Sequence, residues 1–382
     1  MKNNSTVALE HCRSYDAAEL HTAMGRLLET IGGMGVFVKH GQNVLIKPNF
    51  LTDSTPDEAI TTHPEVVRAI IHILKQHGAK PFVADSPSNV VKIEKVWEKT
   101  GFKAMCAAEN VPLVCLEKSG AVSYKIDGFS FSIAKPILDA DVIINVPKVK
   151  THMLTILTGA VKNMYGAVPG FQKMNLHKLH PTVPEFGKLI AAIYRKVPPH
   201  LNIADGVVGM HGNGPSAGIP INLGFLAASR DAVALDLTLC RLMNIDPSAV
   251  PYLRHLSITG YPEEKQKHIE SAGASAESFV IKNFKAPDTL RARMIPGWLV
   301  SILAPFVWIA PSISGKCISC GRCVKGCPVT ALSFVNADKK GKPVLDRKKC
   351  IGCCCCHEVC PAKAITMVQS SLLGFVRRSK MP

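Results

Sequence analysis

Apolar and polar positions follow two rhythms along this chain. Short apolar runs at 7–12, 43–47, 81–85, 111–116, 123–126, 129–133 and 141–146 have strand length. The run at 141–146 is nearly unbroken, the pattern of a strand buried on both faces. Between these runs, 16–31, 64–77 and 92–100 carry the helical period. Each helix meets a glycine stop: Gly32, Gly33 and Gly35 after the first, Gly78 after the second, Gly101 after the third. Pro64 stands at the first position of its helix, where a missing N–H is tolerated. The alternation resumes with a helix at 185–195, strands at 201–205 and 221–227, and helices at 231–243 and 248–258. Strands taking turns with helices predict an α/β fold, a mostly parallel sheet with helices on both faces.

The pattern changes near the C-terminus. Cys317-x2-Cys320-x2-Cys323-x3-Cys327-Pro328 is repeated as Cys350-x2-Cys353-x2-Cys356-x3-Cys360-Pro361. This is the bacterial ferredoxin spacing for two [4Fe–4S] clusters. Three thiolates come from one tight loop, and the fourth serves the other cluster. The expected sets are therefore Cys317, Cys320, Cys323 and Cys360, and Cys350, Cys353, Cys356 and Cys327. The proline after each fourth cysteine turns the chain away. Zinc would favour paired C-x2-C knuckles, and a disulfide framework would suit a secreted chain. Cys354 and Cys355 are surplus to the spacing and read first as packed thiols.

The expected organisation is an α/β domain over 1–288, with room for two lobes. An apolar Pro/Trp linker follows at 289–314, then a small α+β ferredoxin-like two-cluster domain at 315–370 and a basic tail at 371–382. The stretch 294–311 is very apolar but is broken by Pro296, Pro305 and Pro311, which argues against a membrane span of about 20 residues. Packing between the domains is the favoured reading. A peripheral membrane contact, with Trp298 and Trp308 as anchors, is the second.

Composition narrows the picture further. The chain has 382 residues, 47% hydrophobic and 19% charged, which excludes wholesale disorder. Four cysteines lie outside the C-terminal stretch (Cys12, Cys106, Cys115, Cys240) and read as reduced core residues. Together with a polar N-terminus lacking an apolar leader region, they predict a cytoplasmic protein. A net charge of +16 favours acidic partners, while 6% aromatic content argues against nucleic acid.

In parallel sheets, ligands bind beyond the carboxyl ends of the strands. Lys47 and Asn49 follow one strand, Thr62-His63-Pro64 opens a helix, and Asp85 and Asp205 close two further strands. The densest group follows 141–146: Lys148, Lys150, Thr151 and His152, then Lys162, Asn163 and Tyr165. Two lysines, a threonine and a histidine just before a helix predict an anion site. The plainer reading is a solvated lysine loop beside a capping threonine. His152, His63 and Tyr165 are the candidate proton donors. The Gly212-Asn213-Gly214-Pro215 loop adds Asn213 but fits no nucleotide motif. Asp231 reads as a helix cap. Asp236, inside that helix, has no such explanation.

Lys47-Pro48-Asn49, Thr62-His63-Pro64, the run from Asn145 to His152, Gly159 to Asn163 and Asn213-Gly214-Pro215 together resemble the domain-of-unknown-function 362 family, over roughly 44–243. Many members carry a C-terminal two-cluster ferredoxin module. The resemblance implies fold and cluster content but names no substrate. His211 departs from it, standing where an acidic residue is expected. A fainter resemblance to lactate-racemase-like folds carries no residues over. The expected function is electron transfer, with an oxidoreductase passing electrons between two [4Fe–4S] clusters and an anionic small molecule in the α/β domain. The alternative is a non-catalytic ferredoxin-like carrier or adaptor. Lys339, Lys340, Lys342, Arg347, Lys348 and Lys349 would suit an acidic ferredoxin or flavodoxin as partner.

Overall fold

The computed structural model describes residues 5–88, 90–259, 268–289, 308–335 and 341–370. Strands β1 (Ser5–His11), β2 (Asn43–Lys47), β3 (Lys80–Asp85) and β4 (Leu113–Cys115) precede a hairpin, β5 (Ala121–Ile126) and β6 (Phe129–Ala134). There follow β7 (Val142–Asn145), β8 (Lys148–His152), β9 (Ile156–Thr158), the long β10 (Leu201–His211) and β11 (Ile219–Ser229), and β12 (Ile269–Gly273). The central sheet runs β12-β1-β11-β10-β7-β2-β3-β4, and β8 pairs with β10 and folds back on β9. The pairs β12–β1, β10–β7, β7–β2, β2–β3 and β3–β4 are parallel. β11 runs antiparallel to both β1 and β10.

Alternation along the strands feeds two cores. Val44 and Ile46 of β2 pack on one face of the sheet, with Leu20 and Met24 of α1 (Ala17–Glu29), Ile70 of α2 (Pro64–Gln76) and Val96 of α3 (Ile93–Lys99). Phe102 of α4 (Phe102–Ala108) joins the same core. Leu45 faces the other side. Beyond the short helices α5 (Lys135–Leu138) and α6 (Ala160–Asn163) come α7 (Gly170–Leu179), α8 (Val183–Lys196), α9 (Ala232–Leu242) and α10 (Pro251–Thr259). Ile190, Leu235 and Leu253 bring α8, α9 and α10 onto this second core. Polar caps set the helix starts. Asp16 accepts from the amides of Ala18 and Glu19, and Asp231 from those of Val233 and Ala234. The α/β expectation, with helices on both faces, holds.

Three local expectations are corrected. Residues 148–152 form a strand, not a loop opening a helix; α6 begins only after β9. The strand expected at 201–205 continues to His211 and pairs antiparallel with β11, so this part of the sheet is mixed. The runs 123–126 and 129–133 form a separate hairpin.

In the cysteine-rich part, β13 (Ile309–Ile313) and β14 (Leu332–Ser333) precede β15 (Val344–Leu345) and β16 (Ile365–Gln369). β13 pairs antiparallel with β16, and β14 with β15. Short helices span Arg322–Lys325 and Cys355–Glu358. The end of the apolar stretch thus pairs into this unit. The rest of it, and the basic tail, lie outside the described residues. Among the described residues, no helix is long and apolar enough to cross a membrane.

Asp236 finds its role here. Buried in α9, it accepts from the amides of Ala160 (2.6 Å) and Val161 (3.1 Å) and so caps α6. Gly159 must be glycine, because a Cβ there would overlap this carboxylate. Gly159→Ala is expected to cost about 3 kcal/mol of folding stability, read as a lowered denaturant midpoint under argon. An unchanged midpoint would mean that the α6–α9 contact is looser than described.

Candidate functional site

The strand ends bury several charges. Lys47, Lys148 and Lys150 are 0%, 0% and 1% exposed. Lys47 pairs with Asp85 at 2.7 Å and donates to the Asn163 carbonyl at 2.6 Å. Lys148 pairs with Asp205 at 2.9 Å and donates to the Tyr15 hydroxyl at 2.7 Å. His63 stacks on Tyr15 at 3.6 Å, and its backbone N–H donates to Asp205. Lys150 donates to the Ile60 carbonyl. Thr151 Oγ1 accepts from the Gly214 amide at 3.3 Å. The Asn213 amide exchanges two hydrogen bonds with Asp288. These groups are committed to internal partners, which sets aside the solvated-loop reading.

A cavity of about 100 Å³ collects the other expected residues: Asn49, His152, Lys162, Asn163 and Tyr165. Lys47, His63, Lys148, Lys150, Thr151 and Asn213 are not on its lining. Its far wall comes from the cysteine-rich unit, through Gly326, Cys355, Glu358 and Val359. The cavity therefore lies where the α/β body meets that unit. The join is polar. Arg322 forks onto Asp53 at 2.5 and 2.8 Å, and Lys363 pairs with Glu58 at 3.0 Å. His357 reaches the Ile365 carbonyl through Nδ1 (2.8 Å) and the Asn213 carbonyl through Nε2 (3.0 Å).

His152 has a determined tautomer. Its Nδ1 accepts from the amides of Leu154 (3.1 Å) and Thr155 (3.4 Å), so Nε2 carries the hydrogen and lies 3.2 Å from Glu358 Oε1. Burial, reinforced by Lys162, holds this ring down to about 3. Burial alone would raise the Glu358 carboxyl. The His152 ring, with Lys162 and His177 behind it, prevails and holds it down to about 2. The pair is thus a neutral imidazole beside a carboxylate. Lys162 has no hydrogen-bond or ion-pair partner among the described residues. Burial lowers its pKa, and the Glu358 carboxylate offsets part of that. The Tyr165 hydroxyl donates to the Lys173 carbonyl at 3.1 Å, and burial raises its pKa well above the ordinary phenol value.

Two small cavities collect the cysteines of the repeated motif. One small cavity is lined by Cys317, Cys320, Cys323 and Cys360. Another is lined by Cys327, Cys350, Cys353 and Cys356, with Cys354 also on its wall. Among the described residues, no three Cys, His or carboxylate side chains converge tightly enough for a lone ion. Each four-sulfur set surrounds a wider space, and an all-thiolate donor set suits iron–sulfur chemistry. Cys354 packs with Met153 and Met367, while Cys355 faces the larger cavity.

Lys173, His177 and Glu358, all on the lining, escaped sequence reasoning. Lys173 and His177 sit on α7, which has no apolar stripe to mark it. Glu358 is hidden among cysteines, and only its place between Cys356 and Cys360 hinted at a role.

Fold and site define an α/β protein with an attached iron–sulfur unit. Residues 44–241 match the family described as Domain of unknown function (DUF362), and residues 312–367 match the 4Fe-4S dicluster domain. The chain belongs to the DUF362 family. It is 35% identical over 289 residues to the thylakoid-associated protein sll1697 of Synechocystis sp. (strain ATCC 27184 / PCC 6803 / Kazusa), covering 75% of this chain and 88% of that one. The lactate racemase apoprotein from Thermoanaerobacterium thermosaccharolyticum superposes with a TM-score of 0.43 at 14% identity, over 64% of this chain and 57% of that one. The chain thus spans less than two thirds of the racemase, and this likeness bears on neither ligand nor mechanism.

His177 yields a pH signature. It is buried, stacks on Phe186 at 4.3 Å, and is held down to about 4 by burial. The unfolded ring takes up a proton below about pH 6.5. The folded ring does not until near pH 4. Stability is therefore lost as pH falls through that window. His177→Leu is expected to recover about 1.4 kcal/mol at pH 5.5 relative to pH 7.5, measured by anaerobic denaturant unfolding. Parallel pH profiles for variant and wild type would refute the assignment.

Proposed function

We propose that this chain is an iron–sulfur oxidoreductase that passes electrons between two [4Fe–4S] clusters and a small anion held in the cavity between the α/β body and the cysteine-rich unit. The body is taken as 1–288 and the unit as 315–370. One observation carries the reading: the unpaired Lys162 and a wall of the cysteine-rich unit face the same enclosed space. Cys317, Cys320, Cys323 and Cys360 would hold one cluster, and Cys327, Cys350, Cys353 and Cys356 the other. When bound, each cluster supplies one-electron transfer.

The chain's own residues supply the rest. Lys162 binds the anion. His152 keeps a neutral N–H beside the Glu358 carboxylate. Tyr165 retains its proton. The wall of Phe50, Met174 and Phe186 excludes water, which strengthens the pairing of ammonium and anion. The partner is an acidic ferredoxin or flavodoxin that meets the basic side chains Lys342, Arg347, Lys348 and Lys349; Lys339 and Lys340 fall outside the described residues. A cytoplasmic location belongs to the same proposal. The name of the thylakoid-associated relative favours, as a second reading, that the donor is met at a membrane surface.

Two measurements test this. Anaerobically purified protein should hold about eight irons per chain. Cys353→Ser or Cys356→Ser should lose about half of them, whereas Cys354→Ser and Cys355→Ser should keep all. Iron unaffected by Cys353→Ser and Cys356→Ser would overturn the ligand sets. Lys162→Met should keep the iron and the dithionite-reduced spectrum but lower acetate affinity at least tenfold in calorimetry. Unaltered acetate binding would remove the cavity from the reading and leave a plain electron carrier.

A further inference from the structure

The polar groups behind the cavity are ordered in one direction. Asn202 Nδ2 donates to the carbonyls of Ser229 (3.1 Å) and Arg230 (3.4 Å), which makes its Oδ1 the acceptor end. Asn145 Nδ2 donates to that Oδ1 at 2.8 Å and to the Ala160 carbonyl at 2.9 Å. Asn163 Nδ2 donates to Asn145 Oδ1 at 2.8 Å and to the carbonyls of Lys47 and Pro48. Asn49 Nδ2 donates to Asn163 Oδ1 at 2.9 Å. Backbone carbonyls can only accept, so they fix the sense of the whole row. Flipping one amide would set oxygen against oxygen and NH2 against NH2. The row ends at Asn49, whose Oδ1 is buried and has no donor among the described residues. Asn49 lies on the cavity lining, as does Lys162. A buried acceptor without a donor costs about 1–3 kcal/mol. Thr158 Oγ1 and Glu358 Oε1 on the same lining also lack a hydrogen-bond partner among the described residues, but the first can itself donate and the second is a carboxylate that repels an anion. Asn49 Oδ1 is the neutral acceptor left for a ligand hydroxyl beside Lys162.

We propose that the cavity binds a small hydroxy acid, its carboxylate on Lys162 and its hydroxyl donating to Asn49 Oδ1. The inference rests on the anion reading of the cavity and adds the second group. The volume of about 100 Å³ restricts the ligand to a few heavy atoms.

Acetate and glycolate differ only by the hydroxyl. In anaerobic calorimetry on the intact protein, glycolate should bind about tenfold more tightly than acetate. Asn49→Ala should abolish the preference for glycolate over acetate. Equal affinities in the wild type would overturn the proposal while sparing the anion site, and need no variant to fold. A preference that survives Asn49→Ala would overturn it too. Failure of the wild type to bind either acid would overturn both this proposal and the anion reading beneath it.

Discussion

Burying an ammonium group is the constraint on which the ligand end of this sheet depends. Removing such a charge from water costs several kcal/mol unless a carboxylate and further hydrogen bonds replace the solvent. Lys47 receives Asp85, and Lys148 receives Asp205 together with the Tyr15 hydroxyl. Asp85 closes β3 and Asp205 lies within β10, so the sheet itself delivers the compensation. Lys150 receives only a carbonyl, and burial lowers its pKa strongly. Lys162 receives no partner within bonding distance among the described residues. The charge balance of this end is positive, and its excess sits where there is room for a ligand.

The cysteine-rich unit answers the same constraint from the other side. Glu358 is brought against His152, and its carboxylate moderates Lys162 from a distance. Its position in the chain explains the run of four cysteines. Cys354 adopts a left-handed backbone, φ 64°, at the start of the helix Cys355–Glu358. A non-glycine residue holds that conformation at a cost of about 1–2 kcal/mol, and the packing of its thiol among Met153 and Met367 holds it there. The turn sends Cys353 and Cys356 to one four-sulfur pocket and Cys355 to the larger cavity. The surplus thiols are thus a hinge residue and a wall residue, and the four-sulfur pocket is separated from the ligand space by a single peptide link.

Much of this was legible in the sequence, for identifiable reasons. Helix caps and glycine stops are local, so α1, α2 and α9 fell near their expected bounds. The cysteine sets were legible because ligand spacing is itself local. Which lysine is paired is not local. Lys148 and Lys162 look alike in one dimension, and only the parallel register that sets Lys148 beside Asp205 separates them. The same register hid β8: its polar side chains are buried against partners, so the alternation that marks a strand is absent. Glu358, some 200 residues from His152 in sequence, joins the site only through docking of the two units. The row of asparagines was equally invisible, since each member comes from a different element.

The two cysteine sets are not equivalent, and their difference has a direction. Cys320 of the first set is exposed, whereas no member of the second set is. The second set adjoins Cys355, which lines the cavity. Cys323 and Cys356, one from each set, pack in the same small apolar cluster. The order from solvent inward is therefore first set, second set, ligand cavity. A pair of clusters serving only to brace a small domain gains nothing from such an order, since bracing requires closeness but no sequence of exposure. A path that begins at an exposed cysteine and ends beside Lys162 is the arrangement that the proposed electron relay to a bound anion requires. The polarity of the asparagine row completes the far end, because it specifies which hydrogen-bonding group a ligand must turn toward Asn49 as its charge meets Lys162.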